Sequence, residues 1–260
     1  MLESWLSFAP RSDCPYSFQV ADAEPSRDLV DEDIHELKSL AIQARFSLDF
    51  LELAAEKLGW DAVKQLVQTS QPKLPRTRRG AFGEILAIEG LIRFQGYAVP
   101  VKKFRFAVTG DQTLPGMDVV GLQLGEDDKL ENVCFIECKL RTGHDTAAAS
   151  QAYVQLRNDY ESRAADILFY VAARLEEQGN PLLNTVLEYM RDRANTDLDI
   201  LAIWLTWEQT NWSETTLANV NDEDLLPVPL QVTAIRLPEL ERLTDSVFTD
   251  IAIAPLIDDN

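Results

Sequence analysis

The chain has 260 residues, 46% of them hydrophobic, which is enough for one large domain or for a core domain with an added subdomain. It carries 43 acidic against 24 basic side chains, a formal net charge of -19. That balance argues against a free-standing protein that grips nucleic acid through a broadly basic surface, because phosphate neutralisation supplies most non-specific affinity.

Residues 1–30 hold aromatics and Pro10, Pro15 and Pro25 without a clear period, and read as irregular or short extended structure. From 31 to 69, Leu37, Leu40, Ala41, Ala44, Leu48, Leu51, Leu53 and Ala54 recur at three- and four-residue spacings, so this stretch is predicted helical, with Gly59 dividing it in two. Residues 71–76, with Pro72 and Pro75, read as a linker. A boundary there gives a mostly helical N-terminal region, 1–75, and a second domain, 76–260.

Residues 81–94 (Phe82, Ile85, Leu86, Ile88, Leu91, Ile92) make an amphipathic helix that Gly96 stops. Residues 97–108 alternate and are rich in β-branched and aromatic types, so a strand is predicted. A second strand follows over 118–124, a polar turn over 126–129, and a strongly apolar strand over 133–140. Helices are expected over 146–165 and 182–193, a buried strand over 198–206 and another over 230–237. The order suggests an α/β fold, a mixed central sheet flanked by helices.

The charge is sorted along the chain. Residues 71–110 hold eight basic and two acidic side chains, whereas from Glu208 to the end eleven acids face two arginines. A charge run is as often a solvated face as a binding surface. Cys14, Cys134 and Cys138 are odd in number and lack Cys-x-x-Cys spacing, which argues against a disulfide framework or a structural zinc. No run of eighteen apolar residues appears and the N-terminus lacks signal-peptide character, so no membrane partner and a cytoplasmic location are expected.

The segment 133–140 carries the chemistry. Side chains alternate faces along a strand, so Glu137 and Lys139 share one side while Cys134, Ile136 and Cys138 fill the other. Opposite charges inside such an apolar strand are costly unless paired or bound to something. A hard cation such as Mg²⁺ takes oxygen ligands through one or two carboxylates. Asp118 and Glu137 can supply them, with the Cys138 carbonyl as a third donor, and Lys139 can stabilise charge developing on a phosphate. Glu84, on the preceding helix, is placed to join them. Two other tripeptides of the same form, Glu36-Leu37-Lys38 and Asp127-Asp128-Lys129, fall in an amphipathic helix and a polar turn. His35 and His144 are the only histidines, too few for a histidine-based nuclease site.

A helix bearing Glu, an Asp after a Pro-containing turn, and Glu-x-Lys on the next strand resemble the PD-(D/E)xK nucleases. Here these are Gly83-Glu84, Pro115-Gly116-Met117-Asp118 and Glu137-Cys138-Lys139. The resemblance implies a restriction-endonuclease-like core and a deoxyribonuclease using Mg²⁺ or Mn²⁺. Glu84, Asp118, Glu137 and Lys139 would be catalytic, and Asp118, Glu137 and Cys138 would hold the metal. Such nucleases often carry a polar residue on the following helix, and Gln151 is the candidate. Gln155 stands where the RecB-like branch has Tyr, a departure from that branch.

More narrowly, Arg79-Gly80-Ala81-Phe82-Gly83-Glu84 together with Leu114-Pro115-Gly116-Met117-Asp118 and Ile136-Glu137-Cys138-Lys139 resembles the HamA nuclease family of Hachiman anti-phage defence. That likeness implies DNA as substrate and a helicase partner, HamB-like, which would lend an acidic subunit its DNA affinity. Two other functions compete. A stand-alone restriction endonuclease would need base-reading residues in a basic cleft, which the charge disfavours. A non-enzymatic module on a nuclease fold, binding or inhibiting as a DNA mimic, suits the charge but gives no reason for Lys139 beside Glu137. Trp204, Trp207 and Trp212 are candidates for an interface, although aromatics on such strands are mostly core.

Overall fold

The computed structural model describes residues 2, 6–11, 14–23, 31–112, 116–126, 129–217, 220 and 225–249. Pro25, Leu114, Pro115, Asp127 and Asp128 therefore lie outside the described residues.

A six-stranded mixed sheet forms the centre. Its strands are β1 (Leu6–Arg11), β2 (Ser17–Ala23), β3 (Val119–Leu124), β4 (Leu130–Arg141), β5 (Asp199–Glu208) and β6 (Leu230–Leu237), in spatial order β1-β2-β6-β5-β4-β3. β4, β5, β6 and β2 run parallel to their neighbours, and antiparallel β1 and β3 close the edges. Parallel strands are covered on both faces and so read as continuous apolar runs. β5 does this, with all but its last residue buried.

One face carries α1 (Asp31–Arg45), α4 (Pro75–Gln95) and α7 (Leu240–Phe248), which share a core with Cys134, Ile136 and Cys138 of β4. The other face carries α5 (Ala148–Glu177) and α6 (Leu182–Asp192), packed on Val133 and Phe135. α2 (Leu48–Leu58) and α3 (Trp60–Ser70) stand apart around their own small cluster of Ile42, Leu51, Val63 and Val67. Among the described residues no helix is long and apolar enough to cross a membrane.

The α/β class and the mixed sheet are as expected, and several elements differ in detail. The stretch 31–69 is three helices rather than two, because the chain also turns at Phe46 and Ser47, where the Ser47 hydroxyl caps α2 by accepting from Phe50 N–H. The first thirty residues supply two strands of the sheet itself, so the N-terminal region is not purely helical.

The strand expected over 97–108 is not there. Ala98 alone bridges to Leu122 of β3, and Lys103–Phe106 form a 3₁₀ turn. Phe104 packs into the core on the α4 side and Phe106 into that on the α5 side, so the apolar residues reach two cores across the sheet edge instead of alternating along it. α5 runs on to Glu177, well past 165, because Leu168, Val171, Ala172 and Leu175 continue its buried face at helical spacing. α7 was not anticipated: Leu240, Leu243, Val247 and Phe248 bury one face of a short helix inside the acidic C-terminal stretch. Trp204 and Trp207 are core, not interface.

Candidate active site

The site sits at the sheet edge where β3 meets β4. Asp118 directly precedes β3, and its backbone N–H donates to the Ile136 carbonyl at 3.0 Å. Its carboxylate Oδ2 accepts from the Cys138 N–H at 2.8 Å, which ties the side chain to β4. A residue's N–H and C=O leave a strand on the same edge, so the Cys138 carbonyl points toward Asp118 as well.

The alternation along β4 is as the sequence implied. Cys134, Ile136 and Cys138 enter the core on the α4 side. Glu137 and Lys139 face α5. Glu137 is 1% exposed, and its Oε1 takes an ion pair from the Lys139 ammonium. Glu137 Oε2 is buried and no N–H or hydroxyl reaches it, while the Asp118 carboxyl lies within hydrogen-bond reach of the Glu137 carboxyl. An unsatisfied buried carboxylate oxygen costs free energy unless something binds it. Lys139 also donates to Gln155 Oε1 on α5 at 3.0 Å.

Glu84 comes from α4, whose start is set by Pro75 at its first turn and whose end is set by Gly96 in the left-handed conformation. Glu84 and Asp118 line one cavity of about 460 Å³, together with Arg45, Arg76 and Lys103. Lys103 was not singled out from the sequence, yet its ammonium donates to the carbonyls of Gly116 and Met117, at 3.1 and 2.9 Å, and fixes the turn that delivers Asp118.

Three carboxyls so placed resist ionisation. Burial, and then the charge of Asp118, pushes Glu84 well above the usual carboxylate range; Glu137 adds to the effect and Lys103 opposes it. Burial likewise raises Asp118, against the pull of Lys103 and the Cys138 N–H. Burial raises Glu137 to about 7, Asp118 adding to the shift and Lys139 opposing it.

Of the expected residues, the structure brings Glu84, Asp118, Glu137, Cys138 and Lys139 together. Gln151 is exposed on α5, and the amide that reaches Lys139 belongs to Gln155, one turn further on. Gln151 and Gln155 share a helix face, so the face was legible although the residue in contact was not.

Among the described residues no cluster of three or more His, Cys, Asp or Glu makes a ready metal cage. Mg²⁺ does not need one, since it binds through one or two protein carboxylates and keeps several waters. The donor set fits that habit: all-oxygen, with one Glu137 oxygen reached by no N–H or hydroxyl and carboxyls whose raised proton affinity a cation would offset.

The family model for HamA matches residues 2–251. No curated protein matches the chain significantly. With almost its whole length spanned, the chain belongs to the HamA family, which acts in Hachiman anti-phage defence.

Proposed function

We propose that this protein is a metal-dependent nuclease of PD-(D/E)xK type that hydrolyses phosphodiester bonds of DNA, the effector of a defence complex with a helicase subunit. The observation that carries the reading is the Glu137–Lys139 pair beside Asp118, its carboxyl buried and one Glu137 oxygen reached by no N–H or hydroxyl. A structural ion pair needs no such spare oxygen, whereas a cation ligand does.

Asp118, Glu137 and the Cys138 carbonyl would hold Mg²⁺ or Mn²⁺. Bound there, the ion supplies a polarised phosphate and a water of lowered pKa. Lys139, steadied by Gln155, holds an ammonium where negative charge grows on the phosphate oxygens. Glu84, with its raised proton affinity, suits acceptance of a proton from the attacking water. The helicase would bring DNA to a subunit too acidic to gather it alone, and the local cations Arg45, Arg76 and Lys103 would receive it.

The test compares wild type with a Glu137→Ala, Lys139→Ala double variant on plasmid and linear DNA, in Mg²⁺, Mn²⁺ or EDTA, with and without the helicase subunit. Metal-dependent cutting by wild type and none by the variant supports the reading. No cutting of DNA in any condition, and no metal-induced rise in melting temperature, overturns it in favour of the acidic binding module that the net charge of -19 suits.

A further inference from the structure

Asp118 and Lys103 line a second cavity, of about 400 Å³, on the α5 side of the sheet edge. The first cavity is built from α1 and α4, and this one from α5 and the turn before β3, so the two meet at the candidate catalytic carboxylate. Its wall is apolar: Val101, Met117, Val120, Ile167 and Val171. Phe106 and Tyr170 close it edge to face, ring centroids 5.9 Å apart, and the Arg174 guanidinium lies 5.1 Å from one ring and 5.4 Å from the other.

Charged side chains break the apolar lining: Lys103, Asp118, Arg163, Asp166 and Arg174. Tyr170 Oη and Arg174 Nε are both buried and have no hydrogen-bond partner. Two such orphans on neighbouring residues of the cavity wall are unusual, because buried polar groups are normally satisfied. The aromatic and apolar wall, with charged groups around it, suits a ligand with flat apolar faces and a polar edge. Asp166 lines the cavity beside Arg163 and Arg174, which suits a ligand edge that both donates and accepts hydrogen bonds.

We propose that this cavity seats one unpaired base of the substrate strand, the nucleotide beside the scissile phosphodiester. The inference rests on the nuclease reading and sharpens it: the enzyme would act on single-stranded or locally opened DNA. In a duplex the base stays stacked and enters the pocket only at the cost of unpairing and unstacking it, which favours strands already open. Base faces pack well on aromatic and apolar walls whatever their sequence, so the pocket selects strand form and not sequence.

The test uses the full chain and a labelled single-stranded oligonucleotide, copies carrying one abasic site walked along the strand, and the matching duplex. Binding is read by anisotropy with Ca²⁺, and cutting with Mn²⁺. An abasic site at one fixed position from the cut is expected to weaken binding and cutting by about fivefold or more, and the duplex to be the poorer substrate. Tyr170→Leu should erase the difference between intact and abasic strands, and Tyr170→Phe, which keeps the ring, should only reduce it. Equal handling of every abasic strand, or a duplex bound and cut as well as the single strand, overturns the pocket. Cutting without base dependence defeats the pocket alone. No cutting of any strand defeats the nuclease reading, and the binding series then decides the pocket by itself.

Discussion

Lys139 and Gln155 sit on different elements, β4 and α5, and the Lys139 ammonium donates to the Gln155 amide oxygen at 3.0 Å while it also pairs with Glu137. The amide thereby fixes the direction of a long, flexible side chain. A hydrogen bond to a charged group contributes about 1.5 kcal/mol. Gln155→Leu is therefore expected to lower kcat about tenfold with KM little changed, since the group acts through Lys139 and not on the substrate. Gln151→Ala should change kcat less than about twofold, there being no bond to Lys139 to lose. Steady-state kinetics on a short oligonucleotide separates the two, and a larger loss in Gln151→Ala would refute the assignment.

The raised pKa of Glu137 fixes the sign of a pH effect. The folded chain keeps this proton up to about 7, while the unfolded chain releases it near 4.5. Between those values the native state binds more protons, so stability falls as pH rises through the window. Glu84 and Asp118 are shifted in the same direction. Glu137→Gln, which mimics the protonated carboxyl, should match wild type near pH 4.5. Above pH 7 and without divalent metal it should be the more stable, by on the order of 2–3 kcal/mol. Urea titrations across the window measure this, and parallel pH curves for the two proteins would contradict it.

A divalent cation should act on the same carboxyls from the other side. Anything that binds only the native state stabilises it by mass action, about 2.7 kcal/mol at a hundredfold excess over Kd. Millimolar Mg²⁺ or Mn²⁺ is therefore expected to raise the melting temperature of wild type and to leave Asp118→Asn and Glu137→Gln unmoved. An equal rise in all three would place the ion elsewhere.

How much of this was legible in the sequence follows from the range of the forces involved. Glu137 and Lys139 stood out because a strand's period of two is local, and two charges among Cys134, Phe135, Ile136 and Cys138 break it visibly. Gln155 and Lys103 did not stand out, because each acquires its role only from tertiary placement: one across the gap between α5 and β4, the other through carbonyls more than ten residues away. The misread stretch 97–108 has strand-like composition, yet packing divides its phenylalanines between two cores, and burial overrode propensity. β1 and β2 carry too few alternating apolar residues to declare themselves, and pairing with β6, far along the chain, makes them strands.

The close approach of α4 to β5 gives a stability prediction free of the chemistry. A Cβ placed on Gly90 would stand 2.2 Å from the Trp204 ring, and that ring is 2% exposed with little room to give. Gly90→Ala gains helix propensity but forces an overpacked core, so a net loss of about 1–3 kcal/mol is expected, a drop in melting temperature of roughly 3–10 °C. Trp204→Leu should make Gly90→Ala nearly neutral if the clash is the cause. A calorimetric double-mutant cycle with no coupling between the two positions would show that it is not.

At the far end of β5 the chain is locked by a polar knot instead. Asp199, 9% exposed, pairs with Arg193 at 2.7 Å and accepts from the hydroxyls of Tyr160 and Tyr189, so α5, α6 and the sheet meet on one carboxylate. Arg193 in turn lies over the rings of Phe135 and Tyr160. Removing one member of a buried pair leaves the other charge unmatched, which costs about 3–5 kcal/mol. Asp199→Ala should therefore destabilise the protein by that amount and loosen α6 first, read as faster amide exchange over Leu182–Asp192 than over β4. Exchange that quickens equally in both elements would mean that the knot stabilises the fold as a whole and does not dock α6 in particular.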